Sequence, residues 1–302
     1  MSQIQLALAL DGARPSLPSA GTAAATTAEL VHHVREAEVG LLDLVTLDAP
    51  EDRAPDEAGS GLGGGVGAVL AAVRLAAATR TVGLLPTVHA GRTEPWTIAR
   101  AVHELHTTAP GRAGVLLRVP VPADEQGWVQ AVRRSWPAGS RLPVVALPGR
   151  GGRDHRALPA DAADLGFVTP RTTVDAQQLV AAARSAGAPR HLLGDLVVVI
   201  DDSSARARQR WERSTGEAPS TAPEGARVFA GTPGQLADLA LGWRAAGLAG
   251  LRLHPVDPAR DVRGVTRGLV PELQRRRAFR RSYRGADLRD RLGEPAAAAA
   301  AA

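Results

Sequence analysis

The chain alternates short, almost wholly apolar runs with longer segments in which apolar residues recur every three or four positions. The runs Ile4–Leu10, Leu41–Leu47, Val82–Val88, Ala113–Val119, Leu142–Leu147, Leu165–Thr169, Leu196–Ile200 and Gly250–Pro255 have strand length. Their scarcity of alternating polar residues is what strands covered on both faces require. Between them the spacing predicts helices over Thr27–Glu38, Val69–Thr79, Pro95–His106, Gln126–Trp136, Val174–Ser185 and Thr232–Gly247, with an Arg-rich helix last. Another helix, capped by Asp201 to Ser204, runs to about Trp211. Pro95 suits a first helical position, where its missing N–H costs nothing. Eight strand–helix units joined by right-handed crossovers predict an α/β protein, a closed (β/α)8 TIM barrel over residues 1–293. An open doubly wound sheet is the alternative. Residues 212–226 read as an irregular loop and residues 294–302 as a disordered Ala-rich tail.

Composition narrows the chemistry. Aromatic residues make up 3% of the chain, so the core must be built from small aliphatic groups. The absence of cysteine excludes disulfides, thiolate nucleophiles and Cys-ligated metals. All 36 basic residues are arginine, so the net charge of +5 persists at any physiological pH. That charge suits an anionic ligand such as a phosphate, and equally a chain whose composition is merely Arg- and Ala-rich. No apolar run approaches the ~20 residues that span a bilayer, and the expectation is a cytoplasmic protein without membrane attachment.

Five stretches, in order along the chain, resemble luciferase-like flavin-dependent monooxygenases, in particular the nitrilotriacetate and dibenzothiophene-sulfone monooxygenase branch. They are "PWTIARAVHELHTTAPGRAGVLL", "ADEQGWVQAVRRSW", "PVVALPGRGGRDHRALPADAADLGFVT", "FAGTPGQLADLALGWRAAGLAGLRLHP" and "VPELQRRRAFRRSYRGADLRDRLG". The resemblance implies the barrel, an FMN cofactor, and oxygenation of a small organic substrate with reduced flavin from a partner reductase. A homodimer is also expected.

The chain departs from that family where chemistry is expected. On the family's "GRAGWNVVTS", Leu116 stands at the Asn, Val119 at the Thr and Pro120 at the Ser. An apolar side chain cannot hydrogen-bond a flavin edge, and leaving such a group unpaired costs ~1–3 kcal/mol. The family's "HDxRYxRADE" loop is missing after Pro122, and only "PAGSR" separates Trp136 from the fifth strand. Much of the lid that would exclude water from a reduced flavin is therefore absent.

Some candidates remain at the carboxyl ends of the strands, where barrel chemistry is placed. In "LPGRGGRDHRA", Gly149, Gly151 and Gly152 permit converging N–H groups, and Arg150 or Arg153 can pair with a phosphate; a plain flexible turn is the bland alternative. Asp48, Thr87 and Thr169 end the second, third and sixth strands and are assigned to the cofactor. His89 and His254 are the catalytic candidates, as imidazoles able to move protons near neutral pH. Asp257 lies just beyond His254. The pair His103 and His106 lacks a third ligand, which argues against zinc, and no metal is expected. "RRRAFRR" (Arg275–Arg281) has no stacking aromatics to make it a nucleic-acid patch. The leading functional reading is an FMN-dependent monooxygenase-like oxidoreductase. Its alternatives are a non-catalytic barrel that binds a ligand or partner, and an oxidoreductase using the deazaflavin F420.

Overall fold

The computed structural model describes residues 3–11, 27–48, 67–91, 93–121, 124–137, 143–148, 163–185, 191–216, 219, 227–283, 285 and 287–293. The predicted Gly149–Arg153 site and the Ala-rich tail lie outside the described residues.

The strands are β1 (Gln5–Asp11), β2 (Leu44–Asp48), β3 (Gly83–His89), β4 (Gly114–Arg118), β5 (Val144–Leu147), β6 (Leu165–Val168), β7 (His191–Ile200), β8 (Arg227–Gly231) and β9 (Gly250–Pro255). Their pairings are all parallel. Eight of them close a ring in the order β1, β2, β3, β4, β5, β6, β7, β9, and β9 returns to β1 through Gln5↔Gly250 to Leu8↔Leu253. The structure is therefore a closed TIM barrel and not an open sheet.

β8 is the strand that the hydrophobic pattern missed, because only Val228 and Gly231 of its five residues are buried. It pairs with Leu196–Ile200, the part of β7 that extends past the pairing of β6 with His191–Gly194. β7 itself begins at His191, earlier than the expected Leu196, since Gly194 and Asp195 interrupt the apolar run. Both interruptions have reasons. A Cβ on Gly194 would stand 2.7 Å from the Trp243 ring, and Asp195 is ion-paired inside the barrel.

Helices connect the ring strands: α1 (Thr27–Val39), α2 (Gly67–Ala76), α3 (Pro95–Thr108), α4 (Glu125–Arg134), α5 (Thr173–Ser185), α6 (Ser204–Thr215) and α7 (Pro233–Ala245). Thr232 and Gln235 form a reciprocal capping box that starts α7. The segment expected as loop from residue 212 is helical to Thr215, where Gly216 ends α6 in the left-handed conformation (φ 73°). After β9 come α8 (Pro258–Arg263), a π-helical stretch Gly264–Leu269, α9 (Val270–Arg275) and α10 (Leu288–Arg291).

Alternation along each strand sorts the core into two layers. Leu6, Leu8, Val45, Leu47, Leu84, Val115 and Leu117 face the helices. Ala7, Leu44, Leu85, Leu116, Val144, Ala146, Leu165, Phe167 and Leu193 fill the ring, joined at its amino-terminal end by Leu288 and Leu292. The Leu288 N–H donates to the Gly111 carbonyl at 2.7 Å.

Arginines hold this plug in place. Arg289 pairs with Asp164 and donates to the Pro143 carbonyl, and Arg291 donates to the Thr81 carbonyl. Arg280 pairs with the fully buried Asp43, which also accepts the Leu6 N–H. The Arg-rich close of the chain, expected as a final helix, thus stoppers the barrel floor. Leu288→Ala should cost about 2–5 kcal/mol in urea unfolding, because the vacated space borders rigid strands. A loss below ~1 kcal/mol would show that the plug contributes little.

Candidate active site at the carboxyl rim

Parallel strands all present their carboxyl ends to one face, so inward residues near those ends share one mouth. Asp48, Thr87 and His89 end β2 and β3 there, Thr169 follows β6, and His254 lies in β9. The sequence-predicted residues within the described chain are thus on one rim. The contacts described below fall on two sides of the mouth.

On the β2–β4 side, His89 Nε2 is 4.0 Å from Asp48 Oδ1, an electrostatic contact longer than a hydrogen bond. The side chain of Asp48 is 5% exposed and that of His89 28%. Thr87 is buried and stands opposite Leu116 in β4, as His89 stands opposite Arg118. Arg118 was missed from the sequence. The alternation that turns Leu116 inward also turns Arg118 inward, so the signal was present. Its buried Nε has no hydrogen-bond partner among the described residues, and neither has Oγ1 of the fully buried Thr46.

The three apolar replacements on the fourth strand therefore differ in consequence. Leu116 faces the barrel interior. Val119 instead packs into the layer against the helices, and Pro120 is exposed. A cation two residues beyond Leu116 keeps the strand end polar.

On the β7–β9 side lies a buried cluster. Arg252 donates to both carboxylate oxygens of Asp195, at 2.6 and 2.7 Å, and His254 Nε2 is 3.1 Å from Asp195 Oδ1. The Arg252 guanidinium also lies 3.8 Å from the Phe167 ring centroid, a cation–π contact. His254 lies within β9 and is 5% exposed. Burial works to raise the Asp195 carboxyl, but the adjacent Arg252 and His254 outweigh it and hold that group well below the usual carboxylate range. Asp257 has a local role: its carboxylate accepts the Arg260 N–H and caps α8.

Other sequence candidates lie elsewhere. His103 and His106 pack edge-on against Trp136, with centroids 5.4 and 6.0 Å away. Among the described residues, no group of three or more His, Asp or Glu is placed to hold a metal, and no helix is long and apolar enough to cross a membrane.

The chain matches no protein-family model and no curated protein. Solved structures do match it. The EDTA monooxygenase EmoA from Chelativorans sp. BNC1 superposes with a TM-score of 0.74 at 17% identity, over 97% of this chain and 99% of its own. Riboflavin lyase RcaE, solved with modified FMN and riboflavin, gives 0.73 at 15% identity over 97% and 96%. The long-chain alkane monooxygenase LadA gives 0.66 at 13% over 98% and 96%.

The fold is a closed TIM barrel, the same as that of these three proteins. In this barrel the Asp195–Arg252 pair stands where aliphatic filling would otherwise be, and its energetics follow from burial. Asp195→Asn should destabilise by about 3–5 kcal/mol, since it strands a buried guanidinium. Because the carboxyl is depressed in the folded state, its stabilisation is present above about pH 4 and declines as pH falls further. The stability gap between wild type and Asp195→Asn should narrow from pH 5 toward about pH 2. A gap unchanged across that range in chemical denaturation would refute the ion-pair account.

Proposed function

We propose that the carboxyl rim binds flavin mononucleotide and that the protein is a flavin-dependent, monooxygenase-like oxidoreductase acting on a small organic substrate. The observation that carries this is the pair of polar groups lacking partners among the described residues, Arg118 Nε and Thr46 Oγ1, on the mouth of a luciferase-like barrel. A buried polar atom without a partner is costly, so a site that keeps two of them suits a ligand with a polar edge. The flavin ring has such an edge, and its faces are apolar enough to meet Leu116 and Phe167, which line the barrel interior. The neighbours' names support the same reading: EmoA and LadA are monooxygenases, and RcaE was solved with modified FMN.

On this reading Arg118 donates to the ring's polar edge, and the Thr46 hydroxyl donates or accepts beside it. The phosphate is assigned to Gly149, Arg150, Gly151, Gly152 and Arg153, where an Arg can bind it bidentately. Thr169 and Thr87 complete the polar rim. His89, at the rim beside Asp48, is the group to hold or pass a proton near neutral pH. Bound reduced flavin supplies the oxygen-activating chemistry, while this chain orients substrate and limits water. Because the described chain has only a short connection after β4, we further propose weak flavin binding and reliance on a reductase that delivers reduced FMN.

Leu116 favours a second reading, a barrel that has lost its flavin and binds another ligand or a partner. Titration separates the two. FMN or its reduced form should bind in the micromolar range, and Arg118→Leu should weaken binding about tenfold or more, the loss of one charge-assisted hydrogen bond. Arg150→Ala and Arg153→Ala should weaken FMN more than riboflavin, which lacks the phosphate. Absence of binding by either redox form at high micromolar concentration overturns the flavin reading and leaves the non-catalytic one.

A further inference from the structure

A cavity of about 230 Å³ lies beside the rim, outside the site described above. It is lined by Val199 of β7, Arg210, Arg213 and Ser214 of α6, and Val256, Asp257 and Arg260 at the start of α8. The lining carries three guanidinium groups against one carboxylate.

One of the three is already committed. Arg210 donates to the Ile200 carbonyl at 2.8 Å and to the buried Asp261 at 3.0 Å, with Asp201 a further 3.6 Å neighbour. It braces the end of β7 against α8 and has little left for a ligand.

Arg213 and Arg260 are different. Arg213 forms no ion pair among the described residues, and its one hydrogen bond runs from Nε to the Gln209 carbonyl at 3.3 Å. Arg260 Nε is 3.6 Å from Asp257, too far for a hydrogen bond. Both guanidiniums keep most of their donors for another acceptor. The Ser214 hydroxyl donates to the Arg210 carbonyl and so presents only an oxygen.

The floor beneath them is apolar. Val199 and Val256 belong with Val197, Ala207, Trp211 and Val228 to a small core of their own. Two exposed cations over an aliphatic floor, in a volume near that of seven or eight waters, define a ligand with a charged head and a short hydrocarbon body.

We propose that this cavity binds a small organic anion, with its carboxylate or phosphate held by Arg213 and Arg260 and its hydrocarbon lying on Val256, behind which Val199 is buried. The site neighbours the mouth: Val197, two residues before Val199 on β7, stands opposite His254 in β9. An anion there approaches the rim without occupying the flavin position. The proposal is independent of flavin binding, so either can fail alone.

The test is calorimetric titration of the full chain with inorganic phosphate, n-butyl phosphate and butyrate. Because the cations are exposed, affinity should be millimolar and fall with added salt. The butyl group should improve on inorganic phosphate about threefold or more by covering Val256. The relative affinities of n-butyl phosphate and butyrate then identify the head group. Arg213→Gln and Arg260→Gln should each reduce binding about three- to tenfold, with unchanged thermal unfolding because both side chains are on the surface. Arg74→Gln, on the exposed face of α2, removes the same charge elsewhere and should leave binding intact.

Three results would overturn the site. They are no heat from any probe at concentrations on the order of 10 mM, equal affinity for inorganic and butyl phosphate, and an equal loss on Arg74→Gln.

Discussion

Eight parallel strands close into a ring only if the space they enclose is filled, and every other feature of this protein follows from how that filling is done. With aromatic residues at 3% of the chain, there are few large side chains to spend on the interior. Ala7, Ala146, Val144 and five leucines or equivalents occupy most of it, with Phe167 the one large ring in the inner cluster. What small aliphatics leave open is closed in two other ways. Leu288 and Leu292 enter from below, and a buried Arg252–Asp195–His254 cluster takes up the middle on one side. A hydrophobic trio of the same volume would be at least as stable, so the ionic filling is not explained by stability alone.

Arginine without lysine suits that construction. A guanidinium stays charged when buried and offers a planar fork of donors, so one side chain can satisfy an acid and several carbonyls together. Arg112 donates to the Ala76 carbonyl and the Thr79 hydroxyl, Arg280 reaches Asp43, and Arg289 joins Asp164 to the Pro143 carbonyl. Part of the positive charge that a sequence reading offers to an anionic partner is spent internally. Arg213 and Arg260 beside the rim, like Arg118 on it, keep donors that no hydrogen-bonded ion pair takes up among the described residues.

The ring was legible in the sequence because strands covered on both faces are apolar throughout, and that signal survives without an alignment. β8 was not legible, since it is half exposed and takes its place only where β7 outruns β6. Nor was Asp195, which interrupts an apolar strand and looks like its end until Arg252, 57 positions later, is seen beside it. Arg118 was readable in principle: once Leu116 is set inward, so is its neighbour two along. Of the apolar letters that follow, Val119 packs toward the helices and Pro120 is exposed past the end of the strand. Resemblance located the strand end, and only the pleat decides which of its residues matter.

The same geometry ranks the two histidines. The extended end of β7, with β8 beside it and Trp211 of α6 packed over it, adds a wall above the β7–β9 side of the mouth. Beneath that wall His254 is held by Asp195 at 3.1 Å and is 5% exposed. His89 sits on the opposite, lower side at 28% side-chain exposure, next to an acid that it does not hydrogen-bond directly and across from Arg118. A residue that exchanges protons with a ligand must reach both the ligand and water. His254 is built into the scaffold that keeps Arg252 and Asp195 together, and its loss would be felt first as instability. If the rim carries out acid–base chemistry, the arrangement of the strands gives that work to His89.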